Sequence, residues 1–370
     1  MQGRSGWWGC VLRLSIAVAS AGCSVGLALA QEAAAPATTL FTAEETFSLR
    51  LEAPFSRIKR DRTNPDPEYQ PGRLVYSDAS GDEVAIDLRI RVRGRSRAAN
   101  CDFPPLLLDF QAKGLPAERL SSTLFEGQNG LKLVTHCEPT GIYEQYLWLE
   151  YLAYRVLNLV TDTSLRARVV AVTYHDSERD REMTTKPGLL LEDEKKFAAR
   201  QGLAVVPDER IDDRARYDQG ALALVEMFEY FIGNTDWSAL APPKGGDCCH
   251  NVVPFARADG TLVPVPYDFD SSGLVNKPEA LPAAGLGIRT VRQRLYRGPC
   301  RELAAIEASF EPFQRRRAEI TALFEREARL TKQQAEGALR YIDEFYAVLA
   351  DPERVQRAFR SACPKPAQGL

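Results

Sequence analysis

Asn234 and Asp236 follow directly on an apolar, aromatic-rich run that ends at Gly233, in Phe228-Glu229-Tyr230-Phe231-Ile232-Gly233-Asn234-Thr235-Asp236-Trp237. Downstream stand His250-Asn251 and then Tyr267-Asp268-Phe269-Asp270-Ser271-Ser272-Gly273. An acid after a helix, an amide ahead of a strand and an acidic pair beyond the next strand supply oxygen donors that suit Mg²⁺ with substrate phosphates. In phosphoryl transfer a loop Asp orients the attacking hydroxyl, while an Asn and a later Asp hold the metal. Each residue alone has a plainer reading. Asn234 and Asp236 serve as cap or turn residues, Asn251 as a loop amide, and Asp268 with Asp270 as a solvated turn. Their order and spacing, behind a helix, lift the set above those single readings.

Other chemistries find less support. His136, His175 and His250 are the only histidines, and no two of them stand in His-x-x-x-His spacing. No Gly-x-Ser-x-Gly elbow occurs, which argues against a serine hydrolase. A zinc site at Cys248-Cys249-His250 would need chelation by adjacent cysteines, and no Cys-x-x-Cys pair exists. A metal-dependent phosphoesterase would use the same acids but needs further ligands. The basic stretches Arg315–Arg317 and 354–360 belong to helices with interleaved acids and read as solvated faces.

The elements that must hold these residues divide along the chain. From Phe41 to about Leu133 the signals are strand-like. Thr46–Leu51 and Val84–Arg93 alternate apolar and polar residues, and Leu106–Phe110 and Leu131–Val134 are short apolar runs. Tyr143–Val160 carries apolar residues on nearly every side, the pattern of a helix buried on most faces. Arg168–Tyr174 and Gly188–Leu191 read as strands, 215–232 as a second strong helix, Val263–Phe269 as a strand, and Cys300–Ala362 as helical. Segregation of this kind implies an α+β protein with a small sheet lobe, a larger helical lobe and an active site in the cleft between them.

The N-terminus suggests export. Arg4 and Arg13 precede the uncharged apolar run Leu14–Leu29, which closes on Ala28-Leu29-Ala30, so 1–30 reads as a signal peptide cut after Ala30. A lipoprotein cut before Cys23 is the lesser reading. Residues 31–40 look like a flexible leader, and no later segment is long and apolar enough for a membrane span. The expected location is periplasmic or extracellular. Six cysteines then remain, Cys101, Cys137, Cys248, Cys249, Cys300 and Cys363. Their even number implies disulfides, with 15 possible pairings. With 47 Lys+Arg against 50 Asp+Glu and a formal net charge of −3, the chain lacks the basic excess of a nucleic-acid binder.

The run Asn-x-Asp-Trp, His-Asn, Tyr-Asp-Phe-Asp-x-x-Gly resembles the spore coat protein H (CotH) kinase family and, more distantly, the HipA-type kinases. Arg91-Val92-Arg93-Gly94-Arg95-Ser96-Arg97 is similar to that family's Arg-Gly-x-Ser strand and turn. Residues 162–170 with Gly188–Asp193 resemble its strand pair leading to a hinge, so the likeness spans roughly 85–275. It implies a bilobal, atypical protein-kinase-like fold, with an N-lobe at 41–192, a C-lobe at 193–363 and a tail at 364–370. It also implies transfer of the γ-phosphoryl group of ATP, with Mg²⁺ or Mn²⁺, to a protein Ser/Thr hydroxyl. In that frame Asp236 is the catalytic-loop acid, Asn234 orients the loop, and Asn251 and Asp268 hold metal, with Asp270 as a second candidate. Lys132 is nominated for the nucleotide phosphates and has an equal reading as a snorkelling edge lysine. Glu144 is its better-placed partner and Glu150 the other. Arg93, Gly94, Arg95 and Ser96 would add phosphate contacts, and Glu192 would begin the hinge at adenine. For Arg95 and Arg97 a charged solvent face is the preferred reading. The sequence departs from the pattern in the long insertion between Asp236 and Asn251 and in lacking a Gly-x-Gly-x-x-Gly loop before Lys132. A non-catalytic scaffold of the cell envelope is the competing reading.

Overall fold

The computed structural model describes residues 39–94, 96–111, 116–206, 210–241, 248–360 and 363. The expected signal peptide at 1–30, most of the leader, Arg95, the middle of the insertion at 242–247 and the tail at 364–370 lie outside those residues.

Seven strands build the first half: β1 (Phe47–Ala53), β2 (Gln70–Ser77), β3 (Glu83–Val92), β4 (Leu106–Asp109), β5 (Gly130–Val134), β6 (Ala167–Asp176) and β7 (Arg181–Leu191). They close in the order β1-β2-β3-β4-β5-β7-β6, with β1 and β6 parallel and the other neighbours antiparallel. Alternation decides which side chains fill the barrel. Ile86, Leu88, Ile90 and Val92 of β3 turn inward to meet Leu49, Leu51, Leu106, Leu108 and Leu131. Two short helices interrupt the strands, α1 (Phe55–Arg60) and α2 (Ser96–Asn100).

The N-terminal half of β6 and the last residues of β7, Leu189–Leu191, are covered on both faces. Val170, Val172 and Leu190 join the barrel interior, while Val169, Leu189 and Leu191 face a second core built around α3 (Gly141–Val160). That double burial explains the continuous apolar runs Val169–Val172 and Leu189–Leu191 within them. Helix α4 (Glu194–Gln201) follows, capped by Asp193, whose side chain accepts from the Lys195 and Lys196 N–H groups. Strand β8 (Ala204–Val205) and helix α5 (Gln219–Ile232) come next. A hairpin of β9 (Val252–Ala256) and β10 (Leu262–Pro266) pairs with β8 in a three-stranded sheet.

After an irregular stretch at 267–302, the remaining elements are helices: α6 (Leu303–Glu307), α7 (Glu311–Arg315), α8 (Arg317–Glu325), α9 (Lys332–Leu349) and α10 (Pro352–Arg360). Phe231 of α5, Phe313 of α7 and Phe345 of α9 are buried against one another with ring centroids 4.9–5.6 Å apart. Truncating a buried Phe of this kind costs about 3–5 kcal/mol. The segregated order of sheet and helices makes the protein α+β. Cysteines 101–137, 248–249 and 300–363 are paired as disulfides. Among the described residues no helix is long and apolar enough to cross a membrane. The disulfides are compatible with an exported protein.

Candidate functional site

Gly233 closes α5 in the left-handed conformation (φ 67°), with the Tyr341 hydroxyl packed where a Cβ would go. A side chain there would meet both penalties, so glycine sets the point at which the chain leaves the helix. The next residue, Asn234, is buried, and its N–H donates to the Glu229 carbonyl at 2.8 Å. Its side-chain oxygen accepts from the Asp236 N–H at 2.9 Å, an Asx turn that fixes the Asp236 backbone. From the other side Arg297 donates to the Thr235 carbonyl at 2.7 Å and to the Trp237 carbonyl, with its guanidinium over the Trp237 ring.

Asp236 is thereby presented half-exposed. His250 Nε2 lies 2.7 Å from its Oδ1, and the Asn251 amide donates to its backbone carbonyl at 2.7 Å and to Oδ2 at 3.4 Å. Reciprocal backbone bonds between Ser238 and His250, 2.8 and 3.0 Å, hold the two stretches together. The hydrogen bond that the protonated ring donates to Asp236 raises the His250 pKa above its ordinary value, against a smaller opposing effect of burial.

Asn251 and Asp268 stand at the two ends of the β9–β10 hairpin, and the Tyr267 N–H donates to the Asn251 carbonyl at 3.0 Å. Both have left-handed backbones, φ 53° and 65°, two of six such non-glycine residues among those described. Strain of this kind persists where surrounding structure enforces it, often at functional sites. For Asp268 the enforcement is visible. Its N–H donates to the Tyr154 hydroxyl of α3 at 3.0 Å, and Phe269 is buried between the Tyr154 and Phe228 rings.

A buried charge cluster adjoins Asp268. Arg97, on α2, places Nη2 2.6 Å from Glu150 Oε2 and 3.4 Å from Asp268 Oδ1, and Nε 2.5 Å from Asp270 Oδ2. Lys277 also pairs with Asp270. Burial opposes the Arg97 charge, but Asp270, Glu150 and Asp268 outweigh it and hold its pKa well above normal. Burial likewise works against the Asp270 carboxylate, yet Arg97 and Lys277 push its pKa down. Glu150 goes the other way. Desolvation, helped by repulsion from Asp270 and Asp268, outweighs Arg97 and raises it to about 7.

These contacts separate the expected metal ligands. Asp268 and Asn251 fit a divalent ion, since the Asp268 carboxylate is partly exposed and the Asn251 amide bonds through its nitrogen, leaving its oxygen for a ligand. Asp270 does not fit, because two cations and the Ser271 hydroxyl already occupy its oxygens. Among the described residues no three His, Cys, Asp or Glu side chains form a metal-holding group. One carboxylate and an amide suit an ion that takes its remaining ligands from phosphates and water.

The nucleotide candidates are also redistributed. Strand β5 pairs with β7 in a register that sets Lys132 opposite Leu191, so its ammonium reaches Glu194 at the start of α4 and lies 4.6 Å over the Tyr267 ring. Glu144, in the first turn of α3, pairs with Lys186 of β7 at 2.7 Å. The Lys132–Glu144 pair expected from sequence is not formed, and Glu150 is committed to Arg97. Arg93 follows β3, and Gly94 after it turns with φ 81°. Arg93 contributes a positive field at Tyr267 and has no ion-pair partner among the described residues. The Glu192 side chain is buried and held by Arg200, Nε at 2.9 Å and Nη2 at 2.8 Å. Arg97 is mostly withdrawn from solvent, its side chain 15% exposed, where a solvent face was expected, while Lys277 carries no sequence signal. No family model and no curated protein matches the sequence.

Proposed function

We propose that the chain is an exported, CotH-like atypical kinase with a bilobal kinase-like arrangement, transferring the γ-phosphoryl group of ATP to a Ser/Thr hydroxyl of a protein. The observation that carries this reading is the bond from Asn251 to Asp236 at the head of the hairpin whose far end is Asp268. The chain order also supports it: strand lysine, buried helix, strands, buried helix, acid, amide, hairpin and second acid follow the order of the protein-kinase set. Asp236 accepts the proton of the attacking hydroxyl as the new O–P bond forms and the bond to the ADP oxygen breaks. His250 and Asn251 orient that carboxylate. Asn251 and Asp268 would hold Mg²⁺ or Mn²⁺, which neutralises phosphate charge when bound. Lys132 and Arg93 supply cations toward the phosphates, Lys132 by exchanging Glu194 for them.

The non-catalytic scaffold reading rests on Arg97, whose guanidinium already contacts Asp268 and Asp270. Titration of the mature chain with ATP, with and without Mn²⁺, distinguishes the two by thermal shift. At a hundredfold excess over Kd a ligand adds about 2.7 kcal/mol, a shift of a few degrees. A metal-dependent shift that disappears in Asp268→Ala, together with loss of phosphate transfer, supports the kinase. An unaffected transfer rate in that variant overturns it, and no shift at millimolar ATP leaves the scaffold.

A further inference from the structure

A cavity of about 180 Å³ is bounded by α2, the end of β5, the first turns of α3 and the loop 270–279. Its volume falls below the roughly 300–1,000 Å³ of a drug-sized site, and suits a group the size of one side chain. Four carboxyl groups line it, Glu138, Glu150, Asp270 and Glu279, against two cations, Arg97 and Lys277. Both cations are already spent, Arg97 on Glu150, Asp268 and Asp270, and Lys277 on Asp270.

Two buried polar atoms on the cavity wall have no hydrogen-bond partner, Glu150 Oε1 and His136 Nδ1. Burial lowers the His136 pKa to about 4, so the ring is neutral near pH 7 and does not compensate the acids. The Tyr143 and Tyr146 rings meet edge to face at 5.4 Å in the same wall, and the Tyr143 hydroxyl bonds Glu279. An anion entering here would meet a carboxylate excess with no uncommitted cation. An apolar guest would leave the buried Glu150 oxygen unpaired, which is unfavourable. Carboxylate oxygens beside aromatic faces are complementary to a cation that also donates hydrogen bonds.

We propose that this cavity binds the protonated head of an organic cation, an ammonium or guanidinium group, with Glu150 and Glu279 as acceptors and the Tyr143 and Tyr146 rings against its stem. The ligand is either a basic side chain of a partner protein or a free amine, and the chemistry at the head group is the same.

Calorimetric titration of the mature, disulfide-bonded chain tests the proposal. The probes are N-acetyl-arginine amide, N-acetyl-lysine amide and agmatine, with butyrate as the anionic control, all at matched ionic strength. Saturable binding of at least one cation and none of butyrate is expected. Glu279→Gln, at an exposed position, should weaken it about tenfold, the usual scale of one lost charge-assisted contact, and Tyr146→Leu should weaken it independently. Binding of the capped amino acids identifies a partner's side chain as the source, and binding of agmatine alone identifies a free amine. Absence of saturation with every cation, preference for butyrate, or unchanged affinity in both variants overturns the proposal.

Discussion

Arg97 and the buried Glu150 meet in a largely desolvated ion pair, 2.6 Å from guanidinium to carboxylate, that ties α2 to the middle of α3. The same guanidinium reaches Asp268 and Asp270, so one cation joins the barrel loop, the central helix and the segment after β10. The Cys101–Cys137 disulfide fixes the end of that loop to the chain just after β5, leaving Arg97 little room to retreat. The ion pair and the disulfide therefore constrain the same short piece of backbone.

Removing Arg97 should be among the costliest single changes near the site. Arg97→Met leaves Glu150 and Asp270 buried with only Lys277 to compensate, and breaking a buried pair costs about 3–5 kcal/mol. The double variant Arg97→Met/Glu150→Gln should recover part of that loss, because the orphaned charge is gone. Urea denaturation of the two singles and the double gives the coupling energy. A loss below about 1 kcal/mol in Arg97→Met would show that the pair is solvated instead.

His250 should titrate above its ordinary value of 6.5, and the rise should vanish in Asp236→Asn, since the Asp236 bond is its main cause. The sign follows from linkage. A raised histidine pKa gives a stabilisation fully present below the unfolded pKa and lost as pH rises through the folded one. With the imidazole exposed the stability effect is small, and NMR titration of the ring is the better measurement. The proposed transfer rate should climb over the same pH range, as Asp236 is released from the imidazolium. A His250 midpoint at or below 6.5 would contradict the geometry.

Much of this arrangement was legible in the sequence, and the gaps have physical causes. The inward alternation of β3 and the all-round burial of α3 were visible because each element's pattern is local. Strand β2 was not, since Gln70-Pro71-Gly72 reads as a turn. Pro71 and Gly72 nevertheless pair with Arg89 and Leu88 of β3, and a Cβ at Gly72 would come within 2.8 Å of Ile90 Cδ1. The acid–amide–acid series carried its signal in spacing. Which acids share a cation did not, because Arg97 and Asp270 are far apart in sequence and only the closed fold brings them together. The same holds for Lys132, whose partner Glu194 was decided by strand register.

Lys132 and Glu194 give a prediction with opposite signs. Their pair is partly exposed, 24% and 32%, so neither Lys132→Ala nor Glu194→Gln should cost more than about 1 kcal/mol of stability. If Lys132 serves nucleotide phosphates, Lys132→Ala should weaken ATP binding while Glu194→Gln, by freeing the ammonium, should leave it unchanged or tighter. Equal weakening by both variants in a nucleotide titration would make the pair a structural strut.

Glu229 offers a stability test that needs no ligand. It is buried on α5, and neither carboxylate oxygen has a well-formed hydrogen bond. Burial raises its pKa to about 8, against smaller help from the Asn234 amide and Arg297. Its unfolded value is about 4.5. Between those limits the folded state holds a proton that the unfolded state lacks, so stability falls as pH rises from about 4.5 to about 8 and is flat outside that window. The slope of this contribution is about 1.4 kcal/mol per pH unit inside the window. Glu229→Gln removes it. Urea midpoints across that range should therefore decline more steeply for the wild type than for the variant, with Glu229→Gln relatively more stable at the alkaline end. Parallel pH profiles would mean that Glu229 is ionised in the folded chain, and that Arg297 or water compensates it behind Asn234.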